Sequence, residues 1–247
     1  MRGDFPLLRD ATFEPPRTGG PPDPAFDDWR AGRGVYTSNG VVVGVIRKSS
    51  RAAPDPDLFI FGLPARFEGY EPGYASGLTQ DKRHFTWAVL KAHTRNRGGT
   101  VRLRTNDPRD VPDINFRYFD EGSTGGDDDL EAVADGVEFV REVMKGSQEY
   151  MSEETLPGAD IRTRDEIKAF VRDQAWGHHA SCTCAMGPAS DRMAVVDGAF
   201  RVHGTRGLRI VDASVFPRIP GFFIVTSVYM ISEKASQAIL DGERSGG

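Results

Sequence analysis

The sequence predicts an α+β protein in which an antiparallel sheet is flanked by helices and followed by a C-terminal segment of different character. Short apolar runs with strand-like spacing occupy residues 41–104. Two amphipathic helical patterns come after them rather than between them. Because parallel sheets require regular alternation of strands and helices, this order indicates an antiparallel sheet.

The strand assignments rest on β-branched and aromatic residues with a period of two. Phe85, Trp87 and Val89 alternate with small residues, as in a half-buried strand. Gly, Pro, Asn and Asp fill the connections, as they do in antiparallel loops. The predicted strands are 41–46, 58–61, 85–89 and 101–104.

Two helices are predicted from their first turns and from apolar residues at helical spacing. Three consecutive acids from Asp127 open the first helix, where negative charge favours the helix dipole. Thr163 and Glu166 form a capping box at the start of the second. The apolar face of the first helix consists of Leu130, Val133, Val137, Val140 and Met144.

The chain divides into two predicted domains. The first consists of residues 1–174, and its first 27 residues, rich in Pro, Gly and acid, are an irregular lead-in. Residues 175–247 form the second domain, with short strands at 195–196 and 208–211 and a helix over 225–240.

Composition excludes several classes of protein. The net charge of -5 and the scattered basic residues give no reason to expect nucleic acid as a partner. No apolar stretch reaches the ~20 residues of a transmembrane helix, and the first ten residues do not resemble a signal peptide. Two cysteines, Cys182 and Cys184, are too few for disulfide bonds to stabilise a chain of this size. This favours a reducing, cytoplasmic location. No metal site is expected.

Two clusters of polar residues are candidates for chemistry. Residues 176–188 contain His178, His179 and both cysteines in an apolar-flanked loop. A buried imidazole can accept the proton of an alcohol near pH 7, but from the residues alone satisfied loop histidines are the favoured interpretation. Asp212 ends an apolar run and enters a Pro/Gly loop, where an acid either meets a ligand or caps a turn. The residues alone leave both alternatives open.

Seven segments, in the right order, resemble glucose–methanol–choline (GMC) oxidoreductases over residues 28–241. The segment His179-Ala-Ser-Cys-Thr-Cys-Ala-Met-Gly187 is similar to the family's His-Pro-x-Gly-Thr-Cys-x-Met-Gly. The remaining similar segments are Gly32-Arg-Gly34, Arg97-Gly-Gly-Thr-Val-Arg-Leu-Arg104, Asp107-Pro-Arg-Asp-Val-Pro112, Val195-Val-Asp197 with Phe200-Arg-Val-His-Gly204, Leu208-Arg-Ile-Val-Asp-Ala-Ser-Val-Phe-Pro217 and Tyr229-Met-Ile-Ser-Glu-Lys-Ala235.

The resemblance implies roles for individual residues. His179 matches the family's catalytic histidine, which accepts the substrate hydroxyl proton while hydride passes to the flavin of FAD. Asp212 matches an Asp that contacts the ribityl and pyrophosphate region of FAD, and Ala213 follows it. Ile224 and Val225 match positions whose backbone approaches the flavin pyrimidine ring. His178 has no counterpart with a role.

Three departures from the family pattern are visible. Ala180 and Cys182 replace the usual Pro and Gly, and Phe223 stands where the family usually has a second His or Asn. A phenyl ring cannot hydrogen-bond a substrate oxygen, so the resemblance implies a preference for aromatic or hydrophobic alcohols.

A Gly-x-Gly-x-x-Gly turn, which cradles the pyrophosphate of a dinucleotide, does not occur in the sequence. The resemblance therefore implies a C-terminal fragment of an FAD-dependent alcohol oxidase or dehydrogenase. Residues 1–174 would be its substrate-binding domain, and residues 175–247 would pack on an N-terminal FAD domain supplied in cis or in trans. Two alternatives are an inactive remnant or partner-binding subunit, and a family member with altered flavin chemistry such as a lyase or decarboxylase.

Overall fold

The chain folds into two compact units, Met1–Ala175 and Trp176–Gly247. The computed structural model describes residues 1–3, 23–80, 82–96, 98–119 and 125–245. It has mixed α and β structure with small antiparallel sheets, which confirms the predicted content of helices and antiparallel strands. The assignment of the two domains as substrate-binding and catalytic stays a prediction.

The strands form three small sheets within the described residues. The largest has the order β2-β3-β4 and is antiparallel throughout, with Val45 opposite Ile60 and Ile60 opposite Val89. The other two sheets are two-stranded ribbons, β1-β7 and β5-β6. The strands are β1 Arg2–Gly3, β2 Val43–Arg47, β3 Leu58–Leu63, β4 Thr86–Lys91, β5 Thr100–Arg102, β6 Asp113–Asn115 and β7 Met151–Glu153.

The four predicted strands of this unit are present, as β2 to β5. The strands β1, β6 and β7 were not predicted, because runs of two or three residues are too short to show a period of two. In β3 the alternation is complete, with every second residue buried, because one face of the sheet is covered by a helix.

The helices are α1 Pro24–Arg30, α2 Tyr74–Gln80, α3 Gly126–Met144, α4 Arg164–Gln174 and α5 Val225–Ser245. The last three confirm the predicted helices. At the start of α4 the hydroxyl of Thr163 accepts a hydrogen bond from the Glu166 amide at 3.3 Å, and the Glu166 carboxylate accepts one from the Thr163 amide at 2.8 Å. The predicted capping box is therefore present.

The predicted irregular lead-in is wrong at its end. Residues 24–27 belong to α1, which has Pro24 in its first turn and Asp23 as its N-cap, whose carboxylate accepts a hydrogen bond from the Ala25 amide at 3.0 Å. Proline and aspartate at these positions start a helix, although the same composition is common in loops. Residues 4–22 lie outside the described part of the chain.

The first unit has two apolar clusters that share α3. One face of the helix packs on the β2-β3-β4 sheet, and the other packs on α4. The sheet-side cluster contains Leu58, Ile60, Ala132 and Val140, and the helix-side cluster contains Leu130, Ala134, Ile167 and Val171. Because it is apolar on two sides, α3 is the central element of this unit.

Arg164 of α4 also joins the two helices through hydrogen bonds to acidic residues of α3. Its guanidinium donates to the carboxylates of Glu131 at 2.6 Å, Asp135 at 2.7 Å and Glu138 at 2.6 Å. Hydrogen bonds from Lys168 and then Arg164 lower the pKa of Glu131. Burial raises the pKa of Asp135, but hydrogen bonds from Ser50 and Arg164 outweigh it, so the pKa is lowered overall.

We expect Arg164→Met to lower the free energy of unfolding by about 1.5 kcal/mol at pH 7, because it removes the guanidinium that pairs with three acids, although Glu131 keeps Lys168 and Asp135 keeps the Ser50 amide. The loss should shrink below about pH 4. Carboxylates with lowered pKa values stabilise the fold above their unfolded pKa and lose this contribution as the pH falls. The measurement is urea unfolding at both pH values. Arg172→Met, on the exposed side of the same helix, is the control and should cost under ~0.5 kcal/mol. An equal loss at both pH values would contradict the prediction.

No helix among the described residues is long and apolar enough to cross a membrane.

Candidate active site

The candidate site lies in the second unit, where the histidine-containing loop runs beside the loop that follows Val211. Amides of the first loop donate to carbonyls of the second: Cys182 to Ala213 at 3.2 Å, Cys184 to Ser214 at 2.9 Å and Met186 to Val215 at 2.8 Å. These hydrogen bonds join the two clusters that the sequence singled out. The apolar cluster beneath them contains Val196, Phe200, Val215 and Ala235.

The predicted strands at 195–196 and 208–211 are wrong. Residues there form only isolated bridges, such as Val196 with Val202 and Arg201 with Arg209. Turns interrupt the pairing: the Asp197 carboxylate accepts hydrogen bonds from the Ala199 and Arg201 amides, both at 2.9 Å. Apolar β-branched pairs indicate burial, which is observed at Val196, but they cannot show whether a neighbouring strand is present.

His179 is half-buried and lies against Phe223, with ring centroids 5.7 Å apart and the planes at 70°. Burial lowers the pKa of His179, and the charge of His178 lowers it further. A hydrogen bond with the backbone of Phe222 acts in the opposite direction and raises it. The net effect is a lowered pKa, so the imidazole is neutral near pH 7 and can accept a proton.

The rings of His178 and His179 contact each other, with centroids 4.5 Å apart at 65°. Adjacent residues of an extended loop are expected to point to opposite sides, and this contact departs from that expectation. His178 also stacks on Trp176, with centroids 5.3 Å apart and the planes at 27°. The contact with Trp176 could not be foreseen, because no sequence pattern specifies the twist of a short loop.

Asp212 caps a 3₁₀ turn over Ala213–Val215, and its carboxylate accepts a hydrogen bond from the Ser214 amide at 2.8 Å. The residue is exposed, so a carboxylate oxygen remains open to solvent. The capping role is thus observed, and a ligand role is compatible with it. The two alternatives that the sequence left open do not exclude each other.

Phe223, Ile224 and Val225 lead into α5. The Ile224 carbonyl accepts the hydrogen bond of the Val228 amide at 2.9 Å, so the first turn of α5 begins at these residues. Phe223 is 46% exposed and Val225 59% exposed. On the same helix Tyr229 and Met230 are more than half exposed. Of these side chains, Phe223 is the one whose contact with His179 is observed.

Cys182 has a left-handed backbone conformation that was not predicted from the sequence. Its φ of 72° lies in the left-handed region, which a residue with a side chain adopts only at a cost. The signal was present in the sequence, because Cys182 stands where the resembling family has Gly. Phe200, with φ of 65°, is a second such residue, but it is buried in the apolar cluster.

We expect Cys182→Gly to raise the free energy of unfolding by about 0.5–1 kcal/mol, because relief of the left-handed strain exceeds the entropy that glycine adds to the unfolded chain. Cys184→Gly is the control. Its φ is not positive, so the substitution should destabilise by about 1 kcal/mol. Denaturant midpoints of the two variants test this difference. A destabilised Cys182→Gly would show that the thiol or the Cβ is needed at this position.

Within the part of the chain that the structure describes, no group of three or more His, Cys, Asp or Glu side chains is placed to hold a metal ion.

Comparison with known proteins identifies the family of the chain. A family model described as GMC oxidoreductase matches residues 94–232. An oxygen-dependent choline dehydrogenase of Yersinia pseudotuberculosis is 33% identical over 211 residues, which are 84% of this chain and 35% of that protein. The corresponding enzyme of Pseudomonas syringae pv. tomato gives the same values.

Among solved structures, a formate oxidase has a TM-score of 0.64 and 25% identity, over 77% of this chain and 32% of its own. A fungal aryl-alcohol oxidase has a TM-score of 0.55 and 26% identity, over 77% and 28%. An FAD-dependent oxidoreductase from Chaetomium thermophilum has a TM-score of 0.51 and 29% identity, over 59% and 25%.

The chain belongs to the GMC oxidoreductase family, because the family model covers more than half of it. It spans about a third of the length of the curated relatives that it matches.

Proposed function

We propose that this chain provides the proton-accepting and substrate-contacting part of an FAD-dependent enzyme that oxidises an alcohol to a carbonyl compound. The observation that supports this most directly is the half-buried, neutral imidazole of His179 beside the exposed ring of Phe223. The imidazole would act as the base, and the phenyl ring beside it would provide an apolar contact for the substrate. The relatives named choline dehydrogenase and aryl-alcohol oxidase support the same reaction class.

Polar groups of the second unit are suited to FAD. The first amides of a helix have no partner within the helix, so the start of α5, at Ile224 and Val225, offers donors to the carbonyl groups of a flavin pyrimidine ring. Asp212, with an oxygen open to solvent, suits the hydroxyl groups of the ribityl chain. Ala213, whose carbonyl is held by Cys182, fixes this loop. When bound, FAD would accept the hydride from the substrate carbon.

These contacts are too few to retain a dinucleotide, because the pyrophosphate normally rests on a glycine-rich turn that this sequence does not contain. We therefore propose that the chain works with the family's FAD domain, joined to it in cis or supplied in trans. We also propose that the Met1–Ala175 unit is the substrate-binding domain of this enzyme.

His179 has the main chemical role in this proposal. One ring nitrogen is engaged with the Phe222 backbone, which leaves the other nitrogen for the substrate hydroxyl. That nitrogen accepts the hydroxyl proton as the carbon loses its hydride, so no free alkoxide has to form. The hydrogen bond to Phe222 fixes the tautomer of the neutral ring, and burial, which lowers the pKa of His179, favours the neutral form in which the other nitrogen can accept a proton.

Phe223 suggests the substrate class. A second polar residue at this position would stabilise the developing charge on the substrate oxygen, and a phenyl ring cannot. A hydrophobic substrate offsets this loss, because burying a ring contributes about 2–3 kcal/mol. We propose an aromatic or long-chain alcohol as the substrate.

The test is the rate of flavin reduction in the FAD-loaded enzyme, measured without oxygen for a series of alcohols. We expect kcat/KM for benzyl-type alcohols to exceed that for choline or methanol by about 10-fold or more, because of ring burial. Phe223→Asn should narrow this ratio, and Phe223→Leu, which remains apolar, should largely keep it. Equal turnover of polar and aryl alcohols, or an unchanged ratio in Phe223→Asn, would contradict the proposed pocket.

A further inference from the structure

Four rings follow one another without interruption at the candidate site: Trp176, His178, His179 and Phe223. Successive centroids are 5.3 Å, 4.5 Å and 5.7 Å apart. The first pair is stacked, whereas the other two contacts are edge-to-face. These are favourable geometries for aromatic pairs.

His179 therefore contacts two rings, His178 and Phe223. A half-buried imidazole that made a single hydrogen bond could still rotate about χ2, because this torsion is broad. Edge-to-face contacts with two neighbouring rings restrict that rotation. His178 is itself exposed, and its stacking on Trp176 gives it a fixed position that an exposed side chain otherwise lacks.

We propose that Trp176 and His178 are positioning residues: Trp176 holds the His178 ring, and that ring fixes the orientation of the His179 imidazole. This role rests on the proposed function only in treating His179 as the proton acceptor. Neither residue has to touch the substrate. A misplaced base loses rate steeply, because proton transfer needs hydrogen-bond distance and alignment.

The same contact has an electrostatic consequence. A positive charge on His178 disfavours a second charge 4.5 Å away, so His178 helps to lower the pKa of His179. Phe222 and Phe223, which also contact His179, carry no charge. Among the described residues, His178 is thus the titratable group that acts on His179.

Three variants separate the ring from the charge. His178→Phe keeps a ring and removes the charge, His178→Leu removes both, and Trp176→Leu removes the stacking partner but keeps His178. The first measurement is NMR titration of the His179 imidazole in this chain. The second is the limiting rate of flavin reduction at high pH in the FAD-loaded enzyme, together with the pH at which this rate falls.

We expect His178→Phe to raise the titration midpoint of His179 by a few tenths of a pH unit, while the limiting rate changes less than ~2-fold. His178→Leu should raise the midpoint in the same way and lower the limiting rate about 10-fold, because the ring contact is lost. Trp176→Leu should also lower the limiting rate of flavin reduction, because His178 loses its stacking partner.

Equal limiting rates in His178→Phe and His178→Leu would overturn the positioning role, and an unchanged midpoint in both would overturn the electrostatic one. The titration requires no flavin. A normal rate of flavin reduction in His179→Ala would contradict the proposed function. The contact between the two imidazoles would still stand if, in the separate titrations, the His178 variants changed the midpoint of His179.

Discussion

Replacing His179 by alanine should lower the rate of flavin reduction roughly 10²–10⁴-fold, because removal of a general base costs about this much. Without the half-buried imidazole, only water could accept the substrate proton. The measurement is anaerobic stopped-flow reduction of the FAD-loaded enzyme by its alcohol. The loss should appear in kcat and kcat/KM together, since the base acts mainly in the transition state.

His178→Ala is the neighbouring control and should lose far less, because His178 acts only through His179. His179→Gln is a second control, which retains a hydrogen-bonding group without basicity and should be nearly as slow as His179→Ala. If His178→Ala were the slower variant, the matching of this loop to the family motif would be wrong by one residue. A normal rate in His179→Ala would overturn the proposed function.

Replacing Gly136 by alanine should lower the free energy of unfolding by about 2 kcal/mol, although alanine is the better helix former by ~1 kcal/mol. Gly136 is buried on α3 where the helix crosses β4, and an added Cβ would lie 2.4 Å from Val89 Cγ1. Valine in a strand is stiff at χ1, so its methyl group cannot move aside without cost. Urea unfolding measures the effect.

Gly77→Ala is the matched control, because Gly77 is also helical and its Cβ would meet nothing within 4 Å. It should be neutral or stabilising by up to ~1 kcal/mol, since only the helix propensity changes. The pair Gly136→Ala and Val89→Ala should show favourable coupling, because the smaller side chain makes room for the new methyl group. A neutral Gly136→Ala would show that α3 can shift on the sheet.

Local pattern was sufficient for the long helices of this protein. The capping box of Thr163 and Glu166 and the acids at the start of α3 lie within one turn of chain, and their effect does not depend on distant residues. The same reasoning missed α1, because Pro24 and Asp23 are common to loops and to helix starts. The short strands at 195–196 and 208–211 failed for a related reason, since an apolar pair indicates burial but not pairing.

The sequence by itself determined the class of fold, the order of the main strands and helices, and the two clusters around His179 and Asp212. These features follow from periodicity, caps and residue type, which are local properties. Only the tertiary structure decided that the amides of residues 182–186 donate to the carbonyls of 213–215, and that Trp176, His178, His179 and Phe223 form one row of rings. The left-handed conformation of Cys182 is intermediate, because the family's Gly at this position signals it and the structure shows it. Contacts between loops depend on backbone torsions that are fixed by packing rather than by the identity of neighbouring residues, so no period or motif encodes them.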